Sequence, residues 1–158
     1  MITKLEITDI KDCFELIYFH PIDRIHFKNL GWSKNQMISQ FKKNSNLAFG
    51  CFDNDKLVGF LIGDLIFIEK VSEYEILLIY VKKSYRRRGL ANLLINHLSA
   101  SKYILKLKKI FLEVLDDNIP AINLYKKNNF NLINIRKNYY LINKKNINAL
   151  CYAKIISK

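Results

Sequence analysis

Two stretches of this sequence hold residue types that could do chemistry. In SYRRRGLANLL, from Ser84 to Leu94, three arginines precede a glycine, and the glycine opens a run with helical spacing. A helix N-terminus offers unpaired N–H groups and a partial positive charge, so it holds anions readily. Gly89 lets the chain approach a ligand closely, and Ala91 keeps the second turn narrow. Arg86, Arg87 and Arg88 at the mouth add charge-assisted hydrogen bonds. Strand, basic turn and helix in that order make a pocket for one pyrophosphate. No Gly-Lys-Ser/Thr follows, and the glycines lack dinucleotide spacing, so neither of those phosphate motifs applies. The second stretch, FLEVLDDNIPAINLYKKNNF, places Glu113, Asn118 and Tyr125 within 20 residues. By residue type alone, Glu113 pairs as readily with a lysine across a sheet as with a substrate. Tyr125, at helical spacing from Ala121 and Ile122, packs as readily as it reacts, and Asn118 reads as a helix N-cap.

The elements that must position these residues follow from pattern. MITKLEI reads as an opening strand, and Thr8 and Asp9 start a helix to about His20. A loop is expected after the His20-Pro21 break. Ser33 and Gln36 then have capping-box spacing before a helix carrying Met37, Ile38 and Phe41. LAFGCF and KLVGFLIGDLIFI are strands joined by a turn at Asp53-Asn54-Asp55. YEILLIYV is a strand apolar enough to be covered on both faces. The helix after Gly89 has Leu90, Leu93, Leu94 and Leu98 on one stripe, with His97 at its border. KIFLEVL, a helix capped by Asn118, and two closing strands complete an α/β domain with a mixed sheet.

Composition narrows the class. The 158 residues are 50% hydrophobic and 25% charged, which suits one globular domain spanning 1–158. No apolar run approaches the roughly 20 residues that cross a bilayer. The N-terminus lacks an apolar h-region, so a cytoplasmic protein without membrane attachment is expected. Cys13, Cys51 and Cys151 lie far apart in apolar surroundings and suit buried thiols. His20, His26 and His97 lack ligand spacing, so no metal is expected. The net charge of +12 invites a nucleic-acid reading, but the lysines are diffuse and no basic strand interleaved with aromatics of the RNA-recognition type is found, so no direct nucleic-acid partner is expected.

Together the motifs resemble the GNAT superfamily of acetyltransferases. Arg86-Arg87-Arg88-Gly89-Leu90-Ala91 is similar to the Gln/Arg-x-x-Gly-x-Gly/Ala loop of that family, and LLIYV to the strand before it. LEV, the later Asn118, and AINLY ending at Asn129-Phe130 are similar to the family's second half. GWS at Gly31 to Ser33 and RKNYY at Arg136 to Tyr140 resemble its RimI-type branch, bacterial enzymes that acetylate the N-terminal alanine of a small-subunit ribosomal protein. The resemblance implies a GNAT fold, with a mixed sheet of about seven strands flanked by about four helices. It implies acetyl-CoA as co-substrate, with Ile79, Tyr80 and Val81 presenting main-chain groups to the thioester and pantetheine. Arg86 to Asn92 would take the phosphates (Arg86, Arg87, Arg88, Gly89, Leu90, Ala91 and Asn92), and Asn118 would contact the donor. Glu113 would be the general base, directly or through a water, and Tyr125 the general acid.

An N-terminal acceptor fits a single carboxylate. A free α-amine has a pKa of about 7.7–8.0 against about 10.4 for lysine, so neutralising lysine costs about 3.5 kcal/mol more near neutral pH. Three departures from the family pattern stand out. Leu115 replaces the arginine that often follows Glu-Val in this branch, Asn129 replaces a glycine, and Ala91 takes the place of the loop's second glycine. The first bears on the acceptor more than on the reaction class. The divergent N-terminal helices, which the resemblance places at the acceptor groove, keep open a rival acceptor such as a polyamine, another small molecule or a lysine side chain.

Overall fold

The computed structural model describes residues 1–156, the Tyr103 side chain excepted. A seven-stranded sheet runs in the order β1-β2-β3-β4-β5-β7-β6. Its strands are β1 (Ile2–Lys4), β2 (Asn46–Asp53), β3 (Lys56–Ile68), β4 (Val71–Val81), β5 (Leu107–Leu115), β6 (Asn131–Ile142) and β7 (Lys145–Ile155). β4 and β5 pair in parallel, while β1–β2, β2–β3, β5–β7 and β6–β7 are antiparallel, so the sheet is mixed as expected. Among the described residues the helices are α1 (Ile10–Tyr18), α2 (Pro21–Asn29), α3 (Lys34–Phe41), α4 (Leu90–Ala100), the single turn α5 (Lys102–Leu105) and α6 (Ile119–Lys127). None is long and apolar enough to cross a membrane.

The chain forms two compact units, Met1–Asp64 with Leu78–His97, and Leu65–Leu77 with Leu98–Lys158. In the first, α1 buries Ile10, Cys13 and Ile17 at i, i+3 and i+7, one face of a helix. Phe27, Met37, Phe41 and Phe60 join the same core. Ser33 caps α3 by accepting the Gln36 N–H at 3.1 Å. The β2–β3 hairpin turns on Asn54 and Asp55, both left-handed (φ 46° and 61°), the geometry that two-residue hairpins favour. Gly59 lets the end of β4 come close: a Cβ there would lie 3.0 Å from the Tyr80 carbonyl oxygen. The Lys82 N–H donates to the Val58 carbonyl at 2.9 Å beside it.

Two local expectations change. The segment after His20 is the helix α2, not a loop. Pro21 occupies its first turn, where a missing N–H costs nothing, and His20 is the cap, its Nδ1 accepting the Asp23 N–H at 3.4 Å. A proline that stops one helix also starts the next. On α4 the buried side is Leu94, Ile95 and Leu98, whereas Leu93 is 49% exposed. Ile95 rather than Leu93 completes the apolar face, and His97 sits half-buried with its ring 4.9 Å from that of Phe49.

In the second unit, β5 pairs with β7 and places Glu113 opposite Cys151. The β6–β7 register shifts between Arg136 and Tyr140. Inside this bulge Asn138 is left-handed (φ 53°), and its N–H is taken by Asn148 Oδ1 at 2.9 Å. Bulges of this kind re-aim side chains. Asn118 caps α6 by accepting the Ala121 N–H at 3.3 Å. That helix ends on left-handed Asn129 (φ 63°), where asparagine replaces glycine at little cost.

Candidate active site

The anion loop begins where β4 ends. A short 3-10 turn at Lys83–Tyr85 leads into Arg86 in extended conformation, Arg87 with φ 61° and Gly89 with φ 81°. The first intrahelical bond of α4 runs from the Leu93 N–H to the Gly89 carbonyl at 2.9 Å. The N–H groups of Leu90, Ala91 and Asn92 therefore have no acceptor within the helix. A Cβ at Gly89 would meet no atom within 4 Å, so the space above this turn is open. Two left-handed residues and a bare helix start form a concavity of N–H donors suited to a phosphate.

The three arginines differ in what they touch. Arg88 has its guanidinium carbon 5.1 Å from the Tyr85 ring centre, and the Tyr85 hydroxyl donates to Asp53 Oδ2 at 2.8 Å. Arg87 makes no side-chain hydrogen bond or ion pair among the described residues. Arg86 is engaged: its Nε donates to the Val81 carbonyl at 2.9 Å and its Nη2 to Asp23 Oδ2 at 2.6 Å. Asp23 is not among the residues expected at the site, because the segment after His20-Pro21 reads as a loop. The signature was available in His20-Pro21-Ile22-Asp23, a cap, a first-turn proline and an acid at the third helical position.

In the second unit the half-exposed Glu113 carboxylate gathers partners from two other strands. Arg136 Nη1 donates to Glu113 Oε1 at 2.6 Å, and the Cys151 thiol lies 3.7 Å from the same oxygen. Both contacts fall on Oε1, which leaves Oε2 to accept a proton from elsewhere. Tyr139 backs the arginine, with the guanidinium carbon 3.6 Å from its ring centre, and Tyr140 meets Tyr139 edge-on at 4.9 Å. The Glu113 bond holds the Arg136 guanidinium more firmly protonated than usual. Burial, with Glu113 and then Tyr139 beside it, pushes the Tyr140 phenol up. Cys151 is thus not in apolar surroundings: burial and then the Glu113 charge raise its thiol. No sequence pattern pointed to it, since only the β5–β7 register makes the two residues neighbours.

Tyr125 is 5% exposed, packed edge-on against Phe130 at 5.7 Å. Burial pushes its phenol far above the ordinary 10.0, so it keeps its proton across the neutral and mildly alkaline range. No fully buried side-chain oxygen or nitrogen among the described residues lacks a partner. The Tyr125 hydroxyl makes no hydrogen bond among the described residues, so it is not wholly sealed from solvent. Asn118, seven residues earlier, lies on the same side of α6, two turns away. Its oxygen is committed to the cap, which leaves its amide N–H groups to donate. Leu115 is buried at 4% exposure, consistent with an apolar residue where the resembled branch often has arginine.

A family model described as the acetyltransferase (GNAT) family matches residues 8–130. The chain belongs to the GNAT acetyltransferase family. The ribosomal protein bS18-alanine N-acetyltransferase of Escherichia coli K12 is 30% identical over 139 residues, 88% of this chain and 86% of that one. The N-alpha-acetyltransferase of Sulfolobus acidocaldarius is 39% identical over 71 residues, 44% of this chain and 42% of that one. Among solved structures, the Escherichia coli ribosomal-protein-S18-alanine N-acetyltransferase superposes with a TM-score of 0.82 at 27% identity, covering 100% of this chain and 94% of that one. Arabidopsis thaliana NAA60 in complex with acetyl-CoA shares the fold at a TM-score of 0.78 and 20% identity, covering 99% and 98%. The GNAT fold and the acetyltransferase class are therefore those of this chain. The expectation of about seven strands holds, and α2 brings the helices of eight residues or more to five among those described.

Proposed function

We propose that this acetyltransferase moves the acetyl group of acetyl-CoA onto the N-terminal α-amine of a protein, with an alanine N-terminus of a small-subunit ribosomal protein as its acceptor. The observation that carries the reading is the Glu113 carboxylate, with one oxygen held by Arg136 and Cys151 and the other left to take a proton. The likeness to the alanine N-acetyltransferase over 88% of the chain supports the choice of acceptor. The enzyme acts as one domain spanning 1–158, in the cytoplasm where such an acceptor is made.

The residues divide the work. The N–H groups from Gly89 to Asn92, with the arginine charges, bind the pyrophosphate of the donor. Main-chain groups of Ile79, Tyr80 and Val81 align the acetyl-bearing arm, so these side chains need no polarity of their own. The Asn118 amide donates to the donor. Glu113 removes one proton from the acceptor ammonium, directly or through a water, and the freed nitrogen pair forms the new C–N bond as the C–S bond breaks. Tyr125, kept protonated by burial, gives its proton to the departing sulfur. The second proton of the acceptor nitrogen, shed as the amide forms, restores the phenol through solvent, and Glu113 releases the first to solvent. An α-amine near pKa 7.7–8.0 asks little of the base at neutral pH.

Purified protein incubated with acetyl-CoA and a peptide beginning with alanine is expected to release CoA and gain one acetyl group at the peptide N-terminus. The same peptide blocked at its N-terminus but carrying internal lysine should stay unmodified. Faster turnover on spermidine than on the free peptide would replace this acceptor with a small amine.

A further inference from the structure

We propose that Asp23 is a positioning residue for the anion loop, and that Arg86 serves as its strut instead of contacting the donor phosphates. The inference rests on the donor reading above and refines it. Asp23 lies in the first turn of α2 with its side chain only 14% exposed. Its Oδ2 accepts from Arg86 Nη2 at 2.6 Å and from the Tyr80 hydroxyl at 2.8 Å, with His20 Nδ1 3.4 Å away. Tyr80 also lies 3.4 Å from the Leu16 carbonyl through its hydroxyl, which ties it to α1. Arg86 is held on three sides, by this carboxylate, by the Val81 carbonyl at 2.9 Å and by the Tyr80 ring at 5.5 Å.

Turning the guanidinium toward a phosphate would exchange one charge-assisted bond for another and strand a mostly buried carboxylate. Removing one partner of such a pair is costly because the other charge stays desolvated. The arrangement instead joins three pieces. Tyr80 and Val81 belong to the strand assigned to the acetyl-bearing arm, Arg86 opens the loop, and Asp23 anchors both to α2. The charges left for the phosphates are Arg87, whose side chain is unengaged among the described residues, and Arg88, resting on Tyr85. Sequence alone makes the three arginines equivalent, and the fold divides them.

Steady-state kinetics with two donors test this. Acetyl-CoA carries the pyrophosphate, and acetyl-pantetheine lacks it. With a peptide beginning with alanine as acceptor, Asp23→Asn and Arg86→Gln are each expected to raise the KM of both donors about tenfold, the scale of coupling within a hydrogen-bonded network. The double variant should be no worse than either single one, kcat should change little, and Arg86→Lys should fall between. Arg87→Gln should raise KM for acetyl-CoA alone. If Asp23→Asn does not fold, Tyr80→Phe, which removes one bond to Asp23, should still raise KM for both donors by a smaller factor. An Arg86→Gln penalty confined to acetyl-CoA, or additive effects in the double variant, overturns the strut. A wild-type protein that uses neither donor and binds no CoA by calorimetry overturns the donor reading itself, and the strut with it.

Discussion

Residues 86 to 92 lie consecutively on the chain, whereas Glu113, Arg136 and Cys151 come from three strands that are neighbours only in the sheet. In the proposed mechanism the first group works through main-chain N–H groups and two left-handed residues, so its chemistry is spread over the backbone. The second would work through named atoms at 2.6 and 3.7 Å from one carboxylate oxygen. A backbone site tolerates side-chain change and loses function by degrees. A side-chain site depends on one proton acceptor and loses function abruptly.

The sharpest break in that contrast is Glu113→Gln, which keeps the shape and removes the base. Turnover is expected to fall about a thousandfold with acetyl-CoA affinity unchanged, the upper part of the range for acid–base groups. Calorimetry showing an equal loss of donor affinity would move Glu113 into the binding site. Tyr125→Phe should lower kcat about a hundredfold on the same scale and leave KM alone. Because burial raises this phenol above 10.0, the folded state favours its neutral form. The linked stability is intact below that pH and is lost as pH rises through the higher folded value. The alkaline limb of kcat should therefore not come from Tyr125 below about pH 10, where an unshifted phenol would titrate. A limb between 8 and 9 that disappears in Tyr125→Phe would reverse this.

The loop offers the graded cases. Arg87→Glu should raise the KM for acetyl-CoA about tenfold, as expected for repelling a phosphate at one contact among several. Kinetics showing a fall in kcat with constant KM would contradict that role. Gly89→Ala should cost about 1–2 kcal/mol of stability, since the new methyl meets no atom but the residue must stay at φ 81°. Thermal unfolding measures it, and an unchanged melting temperature would show that the turn relaxes. Smallest of all, Cys151→Ala should alter kcat by no more than about twofold, because a thiol at 3.7 Å is a weak donor and Arg136 holds the same oxygen.

The same contrast explains how much could be read before the fold was known. Caps, turns and the anion loop depend on residues within four or five positions of one another, so Ser33, Asn118, Asn129 and Arg86-Arg87-Arg88-Gly89 carried their own signals. His20-Pro21 also carried one and was misjudged, because proline punctuates a chain in both directions and only the docking of Phe27 in the core selects the start of a helix. Leu93 and Ile95 were exchanged for a related reason. Residues two apart on a helix are rotated by about 200° and point nearly opposite ways, so with Leu93, Leu94 and Ile95 all apolar the packing decides which side of Leu94 is covered.

Local order was thus written in short spacings of residue types, where backbone geometry alone makes one residue reach another, and the reaction class was legible through the family resemblance that those motifs carry. Which oxygen of Glu113 is occupied, why Cys151 does not lie in purely apolar surroundings, and which of three adjacent arginines turns to Asp23 were settled by tertiary structure. Those contacts span 23, 38 and 63 positions of chain. At such separations strand register, a bulge and a helix start bring charges together, and no periodicity in the sequence encodes the distance.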